Sequence, residues 1–285
     1  MSTVYLNGQF ISANDAKISP MDRGFLFGDG IYEVIPCFHA KPVGLSLHLA
    51  RMKNGLAELK IKYDVDVETW VSIINTLLKS MPGSANAIYI HVSRGADSKR
   101  FHAYPNDIAP TVFAYAFPIA DEQPLDVSAV KTYKVKTDRD LRWQRCHIKS
   151  TSLLGNVMHF QSGQDNGLDE VILYNDKGEI TEAAACNVFV VKNGVISTPP
   201  LDNHILPGIT RKIIIDALSK MRNIKVEERA IDKSELLDAD EVWISSSSKE
   251  IAPVIEIDGN LVGNGQAGSV WLNAQTAYNE YKFNA

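Results

Sequence analysis

At 285 residues, with 45% hydrophobic and 22% charged side chains, the chain has the composition of an ordinary globular protein and is long enough for two domains with separate cores. A net charge of −5 and a pI near 5.8 exclude the basic face that binding a nucleic acid through its phosphates requires. There is no long apolar run and no charged-then-apolar leader, so neither a membrane span nor a secretory signal is expected, and a cytoplasmic enzyme is the default. Cys37, Cys146 and Cys186 form no C-x-x-C pair and no histidine stands at ligand spacing from them, so free thiols and no metal are expected.

In chain order, residues 5–11 read as two short strands joined at Asn7-Gly8, and the same hairpin signal recurs at Asn193-Gly194 and Asp258-Gly259. Residues 22–35 form a glycine-studded turn running into a β-branched strand, with no helix expected after it. That turn is either the mouth of a site or a phosphate cradle, and its spacing is not that of a P-loop. Tyr32 faces away from Ile31 and Glu33, which makes it a core tyrosine or a phenol presented to a pocket. Ser46 is the expected N-cap of a helix carrying Leu49, Met52, Leu56 and Leu59 at helical spacing, with Arg51 off that stripe as a solvated arginine. A second helix is predicted over residues 67–80, then a strand over 87–94 that opens into a polar loop holding Arg100 and His102. A strand over 111–117 closes the first half, and the proline-bearing stretch after it reads as a linker.

The second half is predicted to hold strands over 127–135 and 145–149, a helix over 153–166, a hairpin over 170–182 and a strand over 187–191. Gly208-Ile209-Thr210 opens a strongly apolar helix whose first N–H groups suit a phosphate. A strand over 241–244 runs into Ser245-Ser246-Ser247-Ser248, and a docking helix covers about 267–281. Within this half Lys149 is hard to explain. Locally it is either an exposed strand-end lysine or a partly desolvated amine able to form a Schiff base.

Five motifs in order add what local reading leaves open: Asp22-Arg23-Gly24 with Phe27-Gly28-Asp29-Gly30-x-Tyr32-Glu33; Arg142-Trp143-x-Arg145-Cys146-x-Ile148-Lys149-Ser150; Ile180-Thr181-Glu182 with Asn187-Val188-Phe189; Ile205-Leu206-x-Gly208-Ile209-Thr210-Arg211; and Glu250-Ile251-x-Pro253-Val254. With them the chain resembles, over essentially its whole length, the fold-type IV pyridoxal-phosphate enzymes, and most closely the bacterial D-amino-acid aminotransferases. The resemblance implies an α+β fold with an N-terminal domain over 1–118, a linker over 119–125, a β-barrel-like α/β domain over 126–285 carrying the lysine, and the coenzyme in the interdomain cleft. It implies that Lys149 carries pyridoxal 5'-phosphate as a Schiff base and that Glu182 stands beside the pyridine nitrogen. It assigns the phosphate to Arg51, Gly208, Ile209, Thr210 and Ser247, and packs Leu206 against the coenzyme ring.

For the substrate the resemblance implies that Tyr32 and an Arg-x-His pair, Arg100 and His102, grip the α-carboxylate, with Tyr89 at another pocket position. The pair would come from the partner subunit, hence a homodimer. The loop over 95–100 is one residue longer than the family pattern, which leaves open whether Arg100 or Lys99 supplies the cation. The implied reaction moves the amino group of a D-amino acid to a 2-oxo acid. The rivals are a branched-chain L-amino-acid aminotransferase, which usually carries Phe at the position of Tyr32 and lacks the Arg-x-His, an aminodeoxychorismate lyase, and a coenzyme-binding protein without turnover.

Overall fold

The computed structural model describes residues 3–64, 66–221 and 224–285. Packing divides the chain into two units, one running to Asp121 and including Ile148–Leu153, the other taking Glu122–His147 and Leu154–Ala285. The lysine-bearing stretch, expected in the second half, therefore packs with the first unit.

The first unit contains strands β1 (Thr3–Leu6), β2 (Gln9–Ser12), β3 (Gly30–Phe38), β4 (Lys41–Pro42), β5 (Ala85–Ser93) and β6 (Thr111–Pro118), and helices α1 (Arg23–Phe27), α2 (Leu45–Glu58) and α3 (Val67–Leu78). The strands form one antiparallel sheet in the order β2-β1-β6-β5-β3-β4. Period-two alternation gives it two different faces. Ile35, Ile88, Ile90, Val92 and Val112 point at Leu49, Met52 and Leu56 of α2 and at Trp70, Ile73, Ile74 and Leu77 of α3, making one buried core. Each such fully buried apolar side chain contributes about 1.5–3 kcal/mol. Tyr32, Tyr89, His91, Phe113, Tyr115 and Phe117, half-buried, occupy the opposite face.

The glycine turn runs into β3 with no helix after it, and itself holds the one-turn α1, because the Asp22 carboxylate caps it by accepting from the Gly24 N–H at 2.8 Å and Gly28, at φ 67°, ends it. Two local expectations change in this unit. Helix α2 begins at Leu45, with Gly44 at its start in the left-handed region (φ 58°), so Ser46 lies inside the first turn and is not its cap. No strand forms over 145–149. Instead Ile148 joins the first core, the Tyr32 N–H donates to the Lys149 carbonyl at 3.0 Å, and Ile31 bridges Ser150.

The second unit contains strands β7 (Tyr133–Arg139), β8 (Glu170–Tyr174), β9 (Ile180–Ala183), β10 (Asn187–Lys192), β11 (Val195–Thr198), β12 (Lys225–Glu228), β13 (Glu241–Ser246), β14 (Glu250–Ile257) and β15 (Asn260–Leu261), and helices α4 (Leu154–Gln164), α5 (Ile209–Ser219), α6 (Lys233–Leu237) and α7 (Ser269–Tyr281). Its sheet runs β12-β11-β10-β13-β14-β7-β8-β9, with β15 beside β14. β7 lies parallel to β8 and β14, and β11 parallel to β12. The strand expected from Val127 starts only at Tyr133, because Asp126 folds the preceding residues into a turn by accepting from the Ser128 N–H at 2.8 Å. No helix among the described residues is long and apolar enough to cross a membrane.

The C-terminal helix docks through buried Trp271, whose indole N–H donates to the Ile251 carbonyl at 2.9 Å. Just beyond it, fully buried Lys282 lies 2.7 Å from Glu250 and 2.6 Å from Glu122. Removing the amine strands a buried carboxylate, and such losses cost about 3–5 kcal/mol. Lys282→Ala is therefore expected to lower stability by about that amount in urea unfolding. A change within about 0.5 kcal/mol would show that Glu250 does not depend on this cation.

Candidate active site

In the first unit the site is organised by β3, whose alternation sends Glu33 inward and Tyr32 outward. Glu33 is fully buried, and α2 supplies its partners from two residues one helical turn apart. Arg51 binds it bidentately, Nε to Oε1 at 2.9 Å and Nη2 to Oε2 at 2.7 Å, while His48 Nδ1 lies 2.7 Å from Oε2. Arg51 is thus not a solvated helix arginine; its side chain is 10% exposed and one edge of its fork belongs to Glu33. Burial alone pushes the Glu33 carboxyl up, but the Arg51 charge and the hydrogen bonds from Arg51 and His48 outweigh it and hold it at about 2. Burial pushes His48 down, and the nearby charges of Arg51 and Lys149 add to this against Glu33.

On the outward side the Lys149 amine stands 4.0 Å from the centroid of the Tyr32 ring. Tyr32 stacks on Tyr89 with centroids 5.8 Å apart, and Tyr89 meets Tyr115 at 5.4 Å. Lys149, Tyr32 and Tyr89 are therefore one group along the aromatic face. Arg100 and His102 are elsewhere: both are exposed and lie against Phe27, the guanidinium 5.1 Å from its centroid and the imidazole at 5.4 Å. Two buried arginines fasten their loop. Arg23 donates to the carbonyls of Phe101 at 2.5 Å and His102 at 3.2 Å, and Arg94 lies 3.6 Å above the Tyr104 ring. A single carboxylate, Asp29, holds both arginines, Arg23 at 2.7 Å and Arg94 at 2.8 and 2.9 Å.

In the second unit Glu182 is buried at the end of β9. Its Oε1 accepts from Arg142 at 2.5 Å, and its Oε2 from the Leu206 N–H at 3.0 Å and the Asn187 amide at 3.2 Å. A carboxylate offers about four lone-pair positions, so one remains for a further donor. Burial pushes the Glu182 carboxyl up, against the opposing charge and hydrogen bond of Arg142. Asp140 aims Arg142 in turn, bidentately at 3.0 and 2.7 Å, and itself accepts from the Thr181 hydroxyl at 2.8 Å. Trp143, next to Arg142, is 43% exposed.

The Asn187 amide also donates to the Leu206 carbonyl at 3.0 Å, tying Leu206 to Glu182. Gly208 follows, where a Cβ would fall 1.9 Å from Asn187 Oδ1, so only glycine allows this approach. Helix α5 then starts at Ile209 with no side-chain cap, which leaves the first-turn N–H groups of Ile209 and Thr210 without intrahelical acceptors. Thr210 is buried and shares its hydroxyl with Tyr278. Ser247 is half-buried in the turn after β13, and the neighbouring Ser245 hydroxyl is buried without a hydrogen-bond partner. An uncapped helix start, an orphaned buried hydroxyl and a carboxylate with a spare acceptor position fit a group that carries an anion at one end and a protonated nitrogen at the other.

A family model described as class IV amino-transferase matches residues 30–257. The chain belongs to the class IV aminotransferases. Enzymes of this class are pyridoxal-phosphate-dependent, and so is this aminotransferase. It is 37% identical over 283 residues to a D-alanine aminotransferase of Staphylococcus haemolyticus, covering 99% of this chain and 98% of the relative. It is 38% identical over 277 residues to a D-alanine aminotransferase of Bacillus licheniformis, covering 96% and 95%. Among solved structures it resembles the Escherichia coli branched-chain amino acid aminotransferase, with a TM-score of 0.87 at 26% identity, covering 99% of this chain and 94% of that one. A T.th. branched-chain amino acid aminotransferase, solved with pyridoxamine 5'-phosphate, shares the fold at a TM-score of 0.88 and 23% identity, with 99% and 94% covered. The α+β chain thus has the fold-type IV architecture.

Reading the sequence alone missed the residues that aim the site: His48, Asp140, Arg142 and Asn187 as holders of carboxylates, and Arg23, Asp29 and Arg94 as holders of the loop. The signal for His48 and Arg51 is a pair of polar residues one turn apart on a helix that packs on a strand containing a glutamate. The network around Glu33 responds to acid. Because the Glu33 carboxyl is held at about 2 against an ordinary value of 4.5, its stabilisation is present above pH 4.5 and is lost as pH falls toward 2. The stability difference between wild type and Glu33→Gln should shrink by about 3 kcal/mol across that window in urea titrations; a difference independent of pH would show that Glu33 is not held ionised.

Proposed function

We propose that this aminotransferase acts on D-amino acids, moving the amino group of a D-alanine- or D-glutamate-type donor to 2-oxoglutarate or pyruvate in a ping-pong cycle. The observation that carries this reading is the grouping of the Lys149 amine over Tyr32 beside Tyr89. The nearly full-length similarity to D-alanine aminotransferases supports it. The branched-chain alternative has the fold likeness in its favour, but Tyr32 and the Arg100 and His102 pair favour the D-amino-acid reading.

Bound pyridoxal phosphate supplies an aldehyde for the amino group and a ring that accepts electrons. The chain's residues do the rest. Lys149 would hold the coenzyme covalently, and its free amine would carry the proton taken from the substrate Cα. Glu182, oriented by Arg142, Asn187 and the Leu206 N–H, would face the pyridine nitrogen and favour its protonated form. The N–H groups of Ile209 and Thr210, with Gly208 and Ser247, cradle the phosphate, and Arg51, aimed by Glu33, adds its guanidinium. Leu206 would pack against the coenzyme ring.

Tyr32 binds the substrate carboxylate. Arg100 and His102, exposed on their own chain and held there by Arg23, complete the site of a second copy, so the working enzyme is a homodimer. Lys149→Ala should lower transamination by at least about a thousandfold. In the wild type, borohydride followed by peptide mass analysis should find the coenzyme on Lys149; turnover retained by the variant would refute the assignment. Arg100→Ala should raise KM for D-alanine about tenfold or more with coenzyme content unchanged, and an unchanged KM would remove this arginine from the carboxylate site.

A further inference from the structure

The C-terminal helix carries polar groups that the reaction as described does not use. Trp271, Gln275 and Tyr278 of α7, and Lys282 just beyond it, recur four, three and four residues apart, so they form one stripe along the helix. All four are at most 1% exposed. The bonds of this stripe converge on two segments. The Trp271 indole donates to the Ile251 carbonyl at 2.9 Å, the Gln275 amide donates to Glu250 Oε2 at 3.1 Å, and the Lys282 amine lies 2.7 Å from Glu250 Oε1. Glu250 and Ile251 open β14, directly after the turn that holds Ser247. Tyr278 shares its hydroxyl with Thr210, in the first turn of α5. These are the two segments of the second unit to which the phosphate is assigned.

Glu250 shows what the fastening does. It is the register partner of Ser246, so Ser247 sits in the turn that these two residues close. Its φ is 55°, a left-handed angle that a residue with a side chain rarely takes. Its carboxylate is held by Lys282, by Gln275 and, at 3.2 Å, by the Gln123 N–H. A strained backbone angle persists only where its surroundings over-determine it, and these three donors do so here. At the other segment α5 has no side-chain cap, and the side-chain contact that fixes Thr210 is Tyr278.

We infer, resting on the assignment of the coenzyme phosphate to Thr210 and Ser247, that the C-terminal helix positions the phosphate cup: Tyr278 sets Thr210, and Lys282 with Gln275 sets the serine turn through Glu250. Tyr278, Gln275 and Lys282 each act through another residue and are positioning residues. A dianion is held by several donors at once, and a cup whose two sides are fastened to one helix presents them together. Loss of either fastening therefore lowers affinity for a phosphate group and spares the rest of the ligand.

The test titrates the full-length apoenzyme of wild type, Tyr278→Phe, Lys282→Met and Thr210→Val with pyridoxal 5'-phosphate and with pyridoxal, which lacks the phosphate. Schiff-base absorbance gives both Kd values. The ratio of Kd for pyridoxal to Kd for pyridoxal phosphate isolates the cup, and it should fall about tenfold in Tyr278→Phe and in Lys282→Met. Calorimetric titration with inorganic phosphate must show the same loss. General loosening of the fold would weaken both coenzyme forms alike and leave the ratio unchanged. An unchanged ratio in either variant, while Thr210→Val lowers it, overturns the inference and leaves the phosphate assignment standing. An unchanged ratio in Thr210→Val itself refutes that assignment and the inference with it. In the Thr210→Val background Tyr278→Phe should add nothing, and the same shift with and without the Thr210 hydroxyl also overturns the inference. Should Lys282→Met fold poorly, Gln275→Met removes another donor to Glu250 and must lower the ratio in its place.

Discussion

An ionised carboxylate taken out of water costs several kcal/mol unless the chain supplies its counter-charge, and this constraint governs how the candidate site is built. Arginines answer three of these carboxylates: Arg23 and Arg94 for Asp29, Arg51 for Glu33, and Arg142 for Glu182. Each pairing joins segments distant in sequence. Arg94 fixes the glycine turn to the end of β5, Arg51 fixes α2 to β3, and Arg142 fixes the loop after β7 to β9. The charges thus position elements as well as neutralise each other, and the side chains proposed to do the chemistry inherit their orientation from them.

Strand β3 does two tasks at once. Its inward residues, Ile31, Glu33 and Ile35, bind it to the helices, Glu33 through an ion pair and the isoleucines through the core. Its outward Tyr32 receives the Lys149 amine on its ring, and its backbone receives the Lys149 stretch. A one-residue slip of register would exchange Tyr32 with Glu33, placing a phenol against Arg51 and a carboxylate under the lysine. The buried Ile31 and Ile35 on either side make that slip costly.

The hairpins were legible in the sequence because Asn7-Gly8, Asn193-Gly194 and Asp258-Gly259 all take left-handed angles, a local requirement that a dipeptide can state. The apolar stripe of α2 and the start of α5 were legible for a similar reason, since periodicity and a helix start are local. The motifs carried family membership and the coenzyme. What stayed hidden depended on distance. Arg51 reads as solvated until β3 brings Glu33 to it, and the lysine stretch reads as a strand of the second half until it pairs with β3. Nothing local says that Arg23 reaches the backbone of the loop at 101–103, or that the orphaned Ser245 hydroxyl and the Asn187 amide sit opposite each other on adjacent strands.

Of the four tryptophans, Trp70, Trp243 and Trp271 are fully buried, while Trp143 is 43% exposed and adjoins the arginine that steadies Glu182. The molecule consequently carries a natural optical probe beside the candidate site. A dissolved quencher such as iodide reaches Trp143 and not the other three, so the quenchable, red-shifted part of the emission belongs to a single position. Any change in the surroundings of the Arg142 loop can therefore be read in unlabelled, unmodified protein.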